Sequence, residues 1–440
     1  MRARPACLFV VLSLSACAGR GAPALAPERP SPDAPAAPVV AVTPVAPRAP
    51  GEPSMDDLRA AARGLNHLGT DLFARLRARP GNLAIAPASI ALAFGMTEAG
   101  ARGDTLAEMR RVLRSSLAPG RQATALGALS ARWNGPLGDG VTARTANRLF
   151  GHQGLAFEAP FVALTTSTFG APLERVDFAH PEPVRQRING WVAEQTVGKI
   201  RELLPPAALD ADTRLVLVNA MYLGAPWASP FPASETADAA FFVDGTAEVQ
   251  APTMTLETDL TLAAGPGFRA VELPYRGAEL AMDVLLPDAR DGLAALEAGL
   301  TAERLESTFR ALAPARVALR LPRFHVEAES FSLRESLAAL GMNLPFAADA
   351  ADFTGIANPR SGAERLCIAD AFHKVVVEVG EAGTEAAAAT AVTMTTHSSP
   401  RPRPASTPFV VDHPFVFVIR DLRTGAVLFL GRVLDPRAAG

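Results

Sequence analysis

The sequence predicts one large α+β domain behind a short N-terminal leader and a proline-rich stalk. Three observations predict it. Between Ser54 and Gly440, strand-like and helix-like stretches are mixed and no second linker interrupts them. From Ala18 to Pro53 the chain is mostly Pro and Ala, with too few large apolar side chains to form a core. Residues 1–17 carry the pattern of an address and not of a folded element.

Taken in order, Arg2 and Arg4 precede an apolar run from Cys7 to Leu14, which is too short to cross a bilayer as a helix and fits a signal-peptide core. It ends in Leu14, Ser15, Ala16 and Cys17, which resembles the bacterial lipoprotein signal, where cleavage leaves the cysteine acylated at the new N-terminus. An ordinary secretory signal cut near the same place is the alternative. The expected organisation is therefore a leader over 1–17 cleaved before Cys17, a disordered linker over 18–53 and a folded domain over 54–440. Such a protein is exported and lipid-anchored in a bacterial cell envelope, periplasmic or at the cell surface. In a polyproline-like conformation the linker reaches at most ~110 Å, at ~3.1 Å per residue.

Within the domain, apolar residues recur at three- and four-residue spacing over Asp56 to Leu76, Ser89 to Leu113 and Pro183 to Val197, which predicts helices. Strand-like runs occur at Arg214 to Tyr222, Ala281 to Leu286, Ala315 to Leu321, Lys374 to Val379 and Phe415 to Arg420.

Composition excludes several functions. With 440 residues, 49% hydrophobic, 20% charged and a net charge of -3, the chain has an ordinary globular balance and no field that would gather nucleic acid. Of three cysteines, Cys7 and Cys17 fall in the leader, so no intramolecular disulfide is expected, and Cys367 reads as a small buried hydrophobe. The seven histidines are scattered without i,i+4 pairing, and no metal or cofactor is expected. No GxSxG, HExxH, Walker loop, GxGxxG or paired CxxC is present, which weakens an envelope hydrolase and leaves no catalytic residue to name. The arginines at 110, 111 and 114 read as a solvated helix face.

The informative segment is Glu381 to Ser399. It contains none of the chain's 38 prolines, and then Pro400, Pro402 and Pro404 arrive in alternation, so the run can enter a β-ladder and its successor cannot. On one strand parity lie Thr384, Ala386, Ala388, Thr390, Val392, Met394 and Thr396, all uncharged; Glu385 falls on the other. By propensity alone, an Ala-rich helix or a surface loop remains open beside the strand.

Glu381 through Thr390 closely resembles the hinge of the reactive loop in inhibitory serpins. The likeness is collinear from about Asp56 to Pro436: Asn82 to Leu113 is similar to the family's second helix and its preceding strand, Arg187 to Phe231 to its central stretch, and Phe429 to Val433 to its C-terminal strands. The resemblance implies the serpin fold, with a large central mixed β-sheet, smaller sheets, about eight or nine helices and an exposed reactive loop. It also implies a mechanism. A protease cleaves the loop and forms an acyl-enzyme, and the freed hinge inserts as a new central strand that drags the protease away before deacylation. A strand of about a dozen residues, gaining roughly 1 kcal/mol net per ladder hydrogen bond plus burial, brings insertion to about ten kcal/mol or more. The intact state is then a kinetic trap.

Carried onto matching positions, the hinge is Glu381, Gly383, Thr384, Glu385, Ala386, Ala387, Ala388, Ala389 and Thr390. Trp227 is similar to the family's tryptophan where the loop first inserts, with plain core packing as the alternative, and Ser89, Asn219 and His373 resemble its polar cluster beneath the opening sheet. Ala86 departs from the serine usual there. The family's count from Glu381 places the cleaved bond between His397 and Ser398, with Met394 or Thr396 as alternative residues before it. Arg401 and Arg403 each precede proline, which disfavours a trypsin-like target. The expected partner is a chymotrypsin-like, subtilisin-like or papain-like protease acting on a monomeric inhibitor. A non-inhibitory serpin serving as a scaffold is the competing class.

Overall fold

The computed structural model describes residues 6–15 (as backbone), 52–243, 245–327, 329–358, 365–384 and 405–438. Two nine-stranded sheets and the helices packed on them make the α+β architecture expected from the sequence. One sheet is centred on strand Thr213–Pro226, and the other is built around the hairpin Phe415–Asp421 and Val427–Val433.

Local chemistry sets the helices. Helix Met55–Leu76 starts at a capping box in which the Ser54 hydroxyl accepts from the Asp57 N–H at 3.2 Å and the Asp57 carboxylate accepts from the Ser54 N–H at 3.2 Å. Its stripe Leu65, Leu68, Leu72, Phe73 and Leu76 is buried. The apolar run expected as one helix from Ser89 is two helices, Pro87–Gly100 and Gly103–Val112. Ala101 is extended, and Gly103 takes a left-handed φ of +51° that restarts the chain in a new direction. The first helix is buried on nearly every side, which its uniform apolarity requires. Helix Pro181–Gln195 lies where periodicity placed it.

The arginine reading needs a correction. Arg110 is not on a solvated face: it bonds the buried Glu98 carboxylate at 2.8 Å and the carbonyls of Ser115, at 3.1 Å, and Leu117. Arg114 lies past the helix, with φ +56°, and pairs with Asp71 at 2.7 Å. Arg111, 65% exposed, and Arg114, 51% exposed, are solvated as expected.

Strand Thr213–Pro226 is buried over most of its fourteen residues because it is flanked on both edges and covered on both faces. One edge pairs antiparallel with Thr142–His152. The other faces the strand pair Leu366–Lys374 and Val376–Gly380, which runs parallel to it, and the gap between them is filled from both ends.

One end is occupied by the N-terminal run. The run read as a leader forms strand Ala6–Ser15 inside this gap, parallel to Thr213–Pro226 (Leu8 opposite Leu215, Ser15 opposite Tyr222) and to Leu366–Lys374. A short apolar run suits a fully buried strand as well as a signal core, and pattern alone does not separate the two. Cys17 and the 18–53 linker lie outside the described residues.

Candidate functional site: the hinge seat and the polar cluster below it

The other end of the gap holds the start of the hinge. After Val376–Gly380 the chain turns at Glu381 and Ala382, and Gly383–Thr384 returns antiparallel, Val379 opposite Thr384. The same two residues pair antiparallel with the last residues of the central strand, Gly383 opposite Pro226 and Thr384 opposite Ala225. Glycine is required at 383, where φ is +150° and a Cβ would collide with the Ala225 carbonyl oxygen.

Trp227 anchors this turn and is more than core packing. Its indole N–H donates to the Gly380 carbonyl at 2.9 Å, its backbone N–H to the Ala382 carbonyl at 2.9 Å, and its ring stacks on Tyr275 at 4.6 Å with the planes 6° apart. Tyr275 completes the seat. Its hydroxyl hydrogen-bonds the Thr384 hydroxyl at 2.5 Å, both groups are fully buried, and burial pushes the phenol pKa up, so the proton stays on the ring oxygen. Thr384 thus lies on the buried parity the sequence assigned to it.

Outside the seat, Glu381 is held by Arg323, whose Nε donates at 2.7 Å, and by the Thr236 hydroxyl at 2.6 Å. Burial works against the carboxylate, but these bonds outweigh it and hold the pKa below the usual value. Glu385, Ala386, Ala387, Ala388, Ala389, Thr390, His397 and Ser398 lie outside the described residues.

Farther down the gap, the structure joins two of the three expected polar residues. The Ser89 hydroxyl donates to Asn219 Oδ1, and Asn219 Nδ2 donates to Asn147 Oδ1 at 2.6 Å, whose own amide donates to the Phe169 carbonyl at 2.8 Å. His373 does not join them. Strand Ala6–Ser15 runs between, with Leu12 the backbone partner of both Asn219 and His373. The imidazole Nε2 instead accepts the Ala86 backbone N–H at 3.2 Å, so a main-chain donor acts where the family's serine is missing. Its Nδ1 has no partner among the described residues, and complete burial depresses its pKa to about 3.

Sequence reasoning missed Asn147, Tyr275, Thr236 and Arg323. Tyr275 left a faint signal, being one of only two tyrosines in the chain. The others left none, because their role comes from strands that meet only in the fold.

Together, the fold and the seat define a large mixed sheet in which the two residues Gly383 and Thr384 lie between Val376–Gly380 and the end of Thr213–Pro226. A family model for serpins (serine protease inhibitors) matches residues 63–436. The chain is 39% identical over 402 residues to the leukocyte elastase inhibitor of Bos taurus, covering 87% of this chain and 100% of that one. It is 34% identical over 382 residues to an uncharacterized serpin-like protein of Thermococcus kodakarensis, covering 86% of each. Among solved structures, cleaved Serpin 42Da superposes with a TM-score of 0.77 at 27% identity, over 87% of this chain and all of that one. The chain belongs to the serpin family.

Proposed function

We propose that this protein inhibits proteases as a suicide substrate, by loop cleavage, acyl-enzyme trapping and insertion of the severed loop into the central sheet. One observation carries the proposal: the register of Gly383 and Thr384 on Pro226 and Ala225. Continued along the same edge, that register sets Ala388 opposite Met221, Thr390 opposite Asn219 and Thr396 opposite Thr213, where the fourteen-residue central strand ends. A strand from 383 to 396 would use that whole edge. His397, the residue before the proposed scissile bond to Ser398, would emerge just past it, with the attached protease carried roughly 45 Å at ~3.4 Å per residue.

Every residue sharing the parity of Thr384 is uncharged, so insertion buries no charge. Direction adds to the drive. The inserted loop would run antiparallel to both neighbours, replacing parallel pairing by the somewhat stronger antiparallel ladder. Thr, Met and His near the scissile bond favour a chymotrypsin-like, subtilisin-like or papain-like target over a trypsin-like one. The same reading has Cys17 acylated after leader cleavage and residues 18–53 acting as a tether from an envelope membrane, with the inhibitor monomeric.

A protease panel tests this. A complex that survives SDS, together with a released fragment beginning at Ser398 by mass spectrometry, is the expected result. Clean turnover of the loop with no complex would refute inhibition.

A further inference from the structure

Strand Phe324–Glu327 runs antiparallel to Val376–Gly380, with His325 opposite Glu378. The half-buried His325 ring is set between two carboxylates: Nδ1 lies 3.4 Å from Glu378 and Nε2 lies 3.3 Å from Glu327. Carboxylates only accept, so a neutral ring can donate to one of them and a charged ring to both. The hydrogen bond with Glu378 does most to hold the ring's pKa above its usual value; partial burial opposes it, and Glu327 adds to it. The other charged groups on these two strands are engaged elsewhere. Lys374 pairs with Glu327 at 3.2 Å, and Arg323, two residues before His325, holds Glu381 at 2.7 Å.

Glu378 borders the gap that the hinge enters. Gly383–Thr384 returns along its strand, with Gly383 opposite Gly380 and Thr384 opposite Val379. One step further in that register, the insertion proposed above would set Glu385 directly opposite Glu378. The same step on the other flank would set it opposite Gly224, which brings no side chain and is overhung by the Tyr222 hydroxyl. Directly opposite side chains of an antiparallel pair stand about 5 Å apart on one face, and like charges there destabilise the pairing. Glu385 is the only acidic or basic residue from Thr384 to Thr396, so this contact dominates the electrostatics of the inserting run.

We propose that His325 is a proton-dependent positioning residue for the inserting loop: as an imidazolium it offsets Glu378 and admits Glu385 beside it, so insertion strengthens as pH falls. This rests on the insertion reading and names a regulation of it. The ring's charge is complete well below the ordinary value of about 6.5 and is lost as pH rises through the raised one. A second carboxylate arriving nearby favours the charged ring further, so insertion takes up protons and acid promotes it.

The test compares the chain freed of its leader with H325K, H325Q and H325Q/E385Q. The gain in melting temperature on loop cleavage is measured at pH 6.5 and pH 9, with the yield of SDS-stable complex, taken relative to H325K at the same pH, as a second readout. In the parent, the gain is expected to be about 2 °C smaller and the complex about threefold scarcer at pH 9, the scale of one like-charge cross-strand pair. H325K, charged at both pH values, should show the same gain at each. H325Q should behave at both as the parent does at pH 9, and adding E385Q should restore its gain. A parent gain equal at the two pH values, or an H325Q loss that E385Q does not restore, overturns the role of His325 and leaves insertion standing. No gain in any variant at either pH overturns insertion and this role together.

Discussion

Thr384 is where a single side chain has most to say about mechanism. Its hydroxyl meets only the Tyr275 hydroxyl, in a space sealed by the stacked Trp227 ring. A cation there would be buried, which costs several kcal/mol, on the order of a hundredfold or more in partition between trapping and release. Thr384→Arg is therefore expected to leave loop cleavage intact and abolish the SDS-stable complex; an undiminished yield of complex would contradict the assigned strand face. His373 supplies a second test at this scale. Its folded pKa of about 3 lies below the ordinary 6.5, because burial disfavours the charged ring. The unfolded chain therefore takes up a proton as pH falls below about 6.5 while the folded one does not until about 3. The stability tied to the neutral ring is whole above pH 6.5 and drains as pH falls toward 3, at up to ~1.4 kcal/mol per pH unit. In His373→Gln, melting temperature measured between pH 7 and 4 should fall less steeply than in the parent.

The decisive element for the proposed mechanism is the short return strand Gly383–Thr384, which is seated in the uncut chain and would set the register of an inserting loop. Along that register Ala388 would face Met221 in the middle of the ladder, where each backbone N–H is needed. Proline lacks that donor and is tolerated only at sheet edges. Ala388→Pro is expected to hold the melting temperature of the uncut protein within about 1 °C, a surface-type change, while eliminating covalent trapping. A matching fall in uncut stability would show the residue already packed in the resting state, against the proposal. The polar cluster belongs to the same scale. Ser89, Asn219 and Asn147 link a helix to two strands through side-chain bonds, and such bonds can exchange partners when a strand enters between Asn219 and His373.

For the whole molecule, the gap between Thr213–Pro226 and Leu366–Lys374 is a resource that two segments of the chain can occupy. Strand Ala6–Ser15 holds the edge from Thr213 to Tyr222, and the hinge holds Ala225 and Pro226. If the leader stays in place, the loop can advance only to about Ala386 before meeting Ser15, whose partner is Tyr222. Leader removal would then be a condition of inhibition. Protein retaining residues 1–16 is expected to be cleaved without forming a complex, and protein lacking them to form one. Calorimetry offers the broader measure. Cutting the loop of the shortened protein should raise its melting temperature by roughly 20 °C, from about ten kcal/mol of new strand pairing at ~2 °C per kcal/mol. Identical melting of cut and uncut forms would sink the insertion mechanism.

Much of this was legible from residues alone. Periodicity marked helix Met55–Leu76 and the apolar cores of the main strands, because burial of one face or of a whole segment imposes a repeat on the chain. The proline-free run with one uncharged parity is equally plain in the sequence, and of it the structure describes only Glu381 to Thr384, with Thr384 buried. The break after Gly100 was not legible, because two helices and one share the same apolar spacing until the left-handed turn at Gly103 redirects the chain. Nor were the partners of Glu381, the Tyr275 hydroxyl against Thr384, the separation of His373 from Asn219, or the pairing of residues 6–15 with Thr213–Pro226. Each depends on which distant strands lie side by side. A sequence states what a segment can do locally; long-range pairing decides which of those capacities meets a partner.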